Sequence, residues 1–378
     1  MERFVWKRPK DIFKGVGIYH ITFVVSGRQA LLGSLAVDHD EPRCLPTDLG
    51  SAISHDLQHI QQYRPYVRLL AKQLMPDHIH VLLYITDDYG VTIKEIARGM
   101  RQGWRQLAAT VGIDPQMPSA GEYKQMPESE TQKMQGEYKQ MPESRMQKML
   151  ESGMQKTVDG TKRPPLFETP FFRTLAHKGQ LEAMIQYIHD NPRRAMLKQQ
   201  NPDLFTLRRD MRVGDLCFSS LGNLFLLDYP DKQSIICSRS LSEQQIADQL
   251  TDVLCRAENG CVTVTAAISP GERQIAKTVR ENGFPLIILL KDGFPKAGDP
   301  YERYYKLGGL YFEACAAGRL LLLEPTSESM TLPDIQRCTE QTLREKAEAR
   351  HWSYQPIPVS SDRYRMMAAN EIVKRLCP

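Results

Sequence analysis

Between Leu74 and Ile85 the chain reads LMPDHIHVLLYI. Pro76-Asp77 is a turn signal, and Val81, Leu82, Leu83, Tyr84 and Ile85 behind it form the short apolar run of a buried strand. The mouth of that strand carries two imidazoles, His78 and His80. Side chains two apart on a strand share a face, so both rings point the same way, a few ångströms apart. Two imidazoles so placed can grip one metal ion. The plainer alternative is a pair of polar residues at a strand's entrance, each hydrogen-bonded locally.

The neighbouring segments surround this strand with ordered structure. GIYHITFVVSGR alternates β-branched and aromatic residues and reads as a strand. Leu49–Tyr63 reads as a helix. Its His55 and His59 have a formal metal spacing but no third ligand in sight, so they read as a solvated or partly buried pair. After the histidine strand comes VTIKEIARGMRQGWRQLAAT, with Ile93, Ile96, Ala97, Met100, Trp104 and Leu107 at helical spacing. Its other face carries Lys94, Arg98, Arg101 and Arg105. That face is either solvated or set against a nucleic-acid backbone, with Arg101 and Arg105 as the candidate contacts. Gly99 and Gly103 each weaken the helix by about 1 kcal/mol relative to alanine.

The pattern then breaks. GEYKQMPES occurs at Gly121 and again at Gly136. A polar, proline-containing repeat with few large aliphatic residues buries little surface, so 112–164 reads as a mobile, low-complexity insertion. Tyr123 and Tyr138 within it are poor candidates for a fixed nucleophile, and Tyr84 reads as core. Order returns at PPLFETPFFRTLAHKGQLEAMIQYIHDNPRRA, where Gln180 to about Asp190 reads as an amphipathic helix ended by Asn191-Pro192. DLCFSSLGNLFLLDYP follows as a short hairpin or extension.

From about Leu241 strands and helices alternate: a helix at 241–256, CVTVTAAI, SPGERQIAKTVRENG, PLIILLK, YKLGGLYFEACAAG, GRLLLLEP and two terminal helices. Alternation of this kind implies a parallel, Rossmann-like sheet. Ser269 can cap the SPGERQIA helix, Pro270 suits its first position, Glu272 closes a capping box and Gly283 can end it. Free amides at that helix start make Ser269–Gly271 a candidate site for a nucleotide or nucleic-acid phosphate. The turn faintly resembles the DNA-processing (DprA/SLOG) superfamily. The dinucleotide signature GxGxxG is absent, which speaks against NAD or FAD.

The 378 residues suit two domains, assigned to 1–230 and 231–378. The formal net charge of +4 is compatible with a polyanion partner without requiring one. No run approaches the roughly 18 apolar residues of a membrane span, and the N-terminus lacks the apolar middle of a signal peptide. The eight cysteines form no CxxC and read as reduced thiols of a cytoplasmic protein.

Within MIQYIHDNPRR, Tyr187 and Asn191 are four apart and share a helix face. A metal beside a tyrosine suits phosphoryl transfer: the ion polarises a phosphoryl oxygen, and the hydroxyl attacks phosphorus to form a covalent intermediate. Asn191 can offer its carbonyl oxygen as a third ligand. His189 faces away, and Arg193 and Arg194 sit where DNA phosphates could be held.

YHITFVVSGR, MPDHIHVLL, the basic helix and YIHDNPRRA, in that order, resemble the HUH single-tyrosine transposases, above all the REP-associated tyrosine transposases. The resemblance covers roughly the first 230 residues. It implies an α+β fold: a ferredoxin-like HUH endonuclease domain with an antiparallel sheet, followed here by a smaller α/β Rossmann-like domain. It further implies His78 and His80 as metal ligands completed by Asn191, Tyr187 as nucleophile, and magnesium or manganese as the ion, although ligand softness alone favours a transition metal for two imidazoles. The implied activity is nicking of single-stranded or hairpin DNA through a 5′-phosphotyrosine, with strand transfer on reversal, in a cytoplasmic, nucleoid-associated protein that is a monomer or a homodimer. A catalytically idle DNA-binding relative, or a replication-initiator or relaxase relative, are the alternatives. The insertion and the C-terminal domain depart from a minimal transposase.

Overall fold

The computed structural model describes residues 4–6, 14–87, 90–112, 155–156, 162–163, 165–295 and 307–377. The chain divides into two compact units between Met196 and Leu197. Most of the low-complexity segment 112–164 lies outside the described residues.

The first unit runs β1 (Gly17–Val24), β2 (Gly33–Asp38), β3 (Glu41–Pro46), α1 (Asp48–Gln58), α2 (Ile60–Tyr63), β4 (Val67–Leu74), β5 (His78–Ile85), α3 (Ile93–Thr110), β6 (Gln155–Lys156), β7 (Lys162–Arg163), β8 (Phe171–Thr174) and α4 (Lys178–Gln200). Four of its strands form an antiparallel sheet in the order β4-β5-β1-β8. The histidine strand β5 is therefore paired on both edges, and it reads as continuously apolar because both its faces are buried. Alternate residues of the two central strands feed two cores. Tyr19, Ile21, Phe23, Ile79, Val81 and Leu83 pack with residues of α1 and α3, including Ile53, Leu57, Ile96 and Trp104. Ile18, Leu82 and Tyr84 pack on the other face with Leu181, Met184 and Ile188 of α4.

α3 starts where Thr92 and Glu95 form a reciprocal capping box. Gly99 has a packing reason: a Cβ there would lie 2.4 Å from an Arg64 guanidinium nitrogen, and that guanidinium donates to the Ile96 carbonyl at 3.1 Å. Trp104 is fully buried and donates its indole N–H to Asp56 at 2.8 Å. The helix expected over 49–63 breaks at His59 (φ −99°, ψ 9°) into α1 and α2. His55 and His59 pack against each other there, with His59 Nδ1 2.8 Å from the His55 carbonyl.

The expectation that Asn191-Pro192 ends the tyrosine helix is not met, because α4 continues to Gln200 with Pro192 buried inside it. A proline has no N–H for the carbonyl four residues back, which here is that of Ile188. The Asn191 side-chain amide stands in for it, donating to the Tyr187 carbonyl at 2.7 Å and the Ile188 carbonyl at 3.3 Å.

The second unit adds α5 (Pro202–Phe205), β9 (Arg208–Val213), β10 (Leu216–Gly222), β11 (Lys232–Ile235), α6 (Glu243–Glu258), β12 (Val262–Thr265), α7 (Pro270–Glu281), β13 (Leu286–Leu289), α8 (Gly309–Ala316), β14 (Leu320–Pro325), α9 (Ser327–Met330), α10 (Pro333–Glu348) and α11 (Asp362–Arg375). β11, β12, β13 and β14 are parallel neighbours, as the strand–helix alternation suggests, and β10 and β9 extend the sheet antiparallel beyond β14. One sheet face packs on α10 and α11, the other on α6, α7 and α8. The hairpin forms earlier than expected, from β9 and β10. Because that pair belongs to the second sheet, the second unit begins well before residue 231. All eight cysteines are free, and burial pushes the thiols of Cys237 and Cys261 up to about 11 and that of Cys315 up to about 12. Among the described residues no helix is long and apolar enough to cross a membrane.

α7 carries the expected punctuation, with a Ser269–Glu272 capping box and a left-handed Gly283 at φ 79°. Glu272 does more than cap. It is buried, and its carboxylate accepts from the backbone N–H groups of Cys237 (3.0 Å), Ile268 (2.6 Å) and Ser269 (3.2 Å). It thereby ties the end of β11 to the β12–α7 turn. Glu272→Ala orphans two buried donors and one partly buried one, and is expected to cost about 3 kcal/mol. Hydrogen exchange of the β12 and β13 amides should accelerate roughly a hundredfold; unchanged exchange contradicts this role.

Candidate functional site

The antiparallel register sets the site. Thr22 of β1 pairs with His80 of β5, Val24 with His78, and His20 with Leu82. Directly opposed residues and their second neighbours share a face. His20, Thr22, His78 and His80 therefore stand together on the face that α4 covers. His80 is almost wholly buried at 2% exposure, His20 is 8% exposed, and His78 is half-buried at the strand's mouth.

The rings of His78 and His80 meet edge to face, with centroids 4.9 Å apart. The Tyr187 ring stands 5.7 Å from that of His80 at an interplanar angle of 70°. The structure thus brings together His78, His80 and Tyr187 from a strand and a helix far apart in sequence. Asn191 lies one turn beyond Tyr187 on α4. Backbone carbonyls only accept, so the two bonds to the helix must come from the amide's donor nitrogen, which fixes the side chain with nitrogen inward. Among the described residues its Oδ1 accepts no hydrogen bond, and it is the amide atom left for a ligand.

Asp77, His20 and Thr22, none of which local sequence marks as a support, orient the two histidines. The Asp77 carboxylate lies 2.6 Å from His78 Nδ1 and pairs with Arg28 at 3.0 Å. Burial works to raise the Asp77 pKa, but the hydrogen bond and charge of His78, followed by those of Arg28, bring it down to about 2. An ionised carboxylate only accepts, so His78 carries a proton on Nδ1 and, when neutral, keeps a lone pair on Nε2. A carboxylate behind a ligating histidine is a common support in metal sites. His80 has a different support: its Nδ1 is 3.1 Å from His20 Nε2 and 3.1 Å from Thr22 Oγ1.

Among the described residues no three His, Cys, Asp or Glu side chains form a metal-holding cluster. A metal at this place would have to draw on two imidazoles plus a neutral oxygen, and Asn191 Oδ1 is a donor of that type. Nitrogen and oxygen donors of this kind suit a divalent ion.

The basic candidates separate. The Arg194 guanidinium lies over the Tyr187 ring, 5.6 Å from its centroid. Arg193 pairs with Asp190 at 2.6 Å. Arg105 is half-buried on α3. Arg101 turns toward the chain itself, donating to the Glu168 carbonyl at 3.2 Å and the Phe167 carbonyl at 3.5 Å. Burial, then the charge of Arg98, lowers its pKa. At Ser269–Gly271 the chain's own Glu272 carboxylate takes the Ile268 and Ser269 amides, so the position expected to attract an external anion already carries an internal one. A Cβ on Gly271 would lie 3.2 Å from Ile246 Cδ1, so that glycine serves close packing.

No family model matches the sequence, and no curated protein matches it. Among solved structures, the chain is similar to a REP-associated tyrosine transposase bound to a REP hairpin, at 11% identity over 52% of this chain and 74% of that one, with a TM-score of 0.28. Similarity at that level fixes neither fold nor function for this chain.

Arg101→Met removes the donor to the Phe167–Glu168 backbone and is expected to lower the stability of the first unit by about 1–2 kcal/mol. Urea titration checks this, and unchanged stability with lost DNA affinity would mean the side chain serves a ligand instead.

Proposed function

We propose that this protein is a metal-dependent, single-tyrosine DNA endonuclease and strand transferase of the HUH type, similar to the REP-associated tyrosine transposases. One observation carries the reading most: Tyr187 stands 5.7 Å from His80, which itself contacts His78. The second unit, with helices on both faces of its parallel strands, supports the Rossmann-like reading of the C-terminal half.

His78 and His80 would hold the ion through their imidazoles, and Asn191 through its amide oxygen. A bound magnesium or manganese ion would supply polarisation of a phosphoryl oxygen and offset the charge that develops there. Tyr187 Oη is the nucleophile. Its attack on phosphorus forms a 5′-phosphotyrosine and releases the other strand end as a 3′ hydroxyl. Attack by a second 3′ hydroxyl on the phosphotyrosine reverses the step and joins strands. Arg194, over the Tyr187 ring, places a guanidinium where it favours the approach of an anionic phosphodiester. The substrate class is single-stranded or hairpin DNA.

The test is formation of a covalent adduct. Protein is incubated with manganese or magnesium and labelled single-stranded hairpin DNA drawn from repeats flanking its gene, then run under denaturing conditions. A metal-dependent protein–DNA band is expected for the wild type. Tyr187→Phe should abolish the band while DNA binding stays within a few-fold of wild type. An adduct that persists in Tyr187→Phe excludes this nucleophile. A native mobility shift with no adduct under any condition favours a binding protein without turnover.

A further inference from the structure

We infer that His20 is a positioning residue for His80: it holds the ring by Nδ1 and so keeps Nε2 as the atom available to the metal. The inference rests on the metal-dependent reading above.

The geometry gives His80 Nδ1 two polar neighbours on β1, His20 Nε2 and Thr22 Oγ1, each at 3.1 Å. The two imidazoles stack, with centroids 5.1 Å apart and planes 25° from parallel. Between two ring nitrogens at that distance only one hydrogen can lie. If it sits on His80 Nδ1, neutral His80 carries its lone pair on Nε2 and can ligate. If it sits on His20 Nε2, His80 accepts at Nδ1, its own proton lies on Nε2, and that nitrogen cannot ligate. The Thr22 hydroxyl rotates and accommodates either arrangement. A ligating His80 therefore requires His20 in the acceptor role.

The two histidines of the pair are then held in the same manner by chemically different supports. Asp77, an anion paired with Arg28, stands behind His78 at the strand's mouth. A neutral imidazole stands behind His80 where the sheet is nearly closed to solvent. A second carboxylate there would be costly to bury and would repel a phosphodiester. Imidazole supplies the acceptor without the charge. The bland alternative, a core histidine satisfied by whichever neighbour it meets, predicts no preferred tautomer on His80 and no effect on metal.

Nitrogen-15 NMR of the histidine rings in the metal-free wild type reads the tautomer directly. His80 is expected in the Nδ1–H form, and an Nε2–H form overturns the inference. Manganese affinity then separates variants. His20→Phe keeps an aromatic ring but has no acceptor, and should bind Mn2+ roughly 10–100-fold more weakly. His20→Gln restores an acceptor and should recover much of the loss, which a purely structural role would not produce. Equal affinity of His20→Phe and wild type overturns the inference. Should His20→Phe fail to fold, His20→Gln and the wild-type tautomer still decide. Wild type with His80 as Nδ1–H that binds no Mn2+ supports the His20 contact and contradicts the metal-dependent function.

Discussion

The antiparallel ladder between β1 and β5 is the constraint on which the site depends. Its register opposes Thr22 to His80 and Val24 to His78, and so gathers His20, Thr22, His78 and His80 on one face of the sheet. A slip of one residue would turn β5 over relative to its partner and send both histidines into the core shared with α1 and α3. The alternation of apolar residues prevents this. Ile79, Val81 and Leu83 are needed on that side, and Leu82 and Tyr84 on the other. The placement of both histidines is therefore locked by hydrophobic packing along the strand's length.

α4 answers the sheet from the opposite side. Leu181, Met184 and Ile188 bury its apolar stripe against Ile18, Leu82 and Tyr84. That packing carries Tyr187 to His80 and sets Asn191 one turn beyond. Pro192 would normally stop such a helix, and the Asn191 amide nitrogen relieves the break by bonding the stranded carbonyls. The same residue thus holds the helix with its nitrogen, and its oxygen is the atom that the proposed function assigns to the metal.

Much of this was legible in the sequence because it is local. The buried strand, the histidine pair at its mouth, the Tyr187–Asn191 spacing, the α3 stripe around Trp104 and the capping box at Ser269 all follow from periodicity and end signals. What escaped is non-local or a matter of competition. His20 matters only through its strand partner, and pairing register cannot be read from one strand alone. Asn191-Pro192 is a sound local stop signal that side-chain hydrogen bonding and burial override. β9 and β10 look like an appendage of the first half until β14 claims them. The start of α7 attracts an anion in principle, but the anion is Glu272, whose reach to Cys237 across the sheet is not visible locally. The basic face of α3 reads equally as solvated or as a nucleic-acid contact, and its spacing gives no sign that Arg101 donates to the Phe167 and Glu168 carbonyls.

The proposed function needs a single metal locus shared by strand and helix. A crystal of the protein soaked in manganese tests it most directly, since anomalous scattering locates the ion independently of any assay. A metal-dependent function of this kind requires one strong peak about 2.0–2.2 Å from His78 Nε2, His80 Nε2 and Asn191 Oδ1, beside the Tyr187 hydroxyl. A peak on other residues, or fully soaked crystals with none at this place, would contradict it.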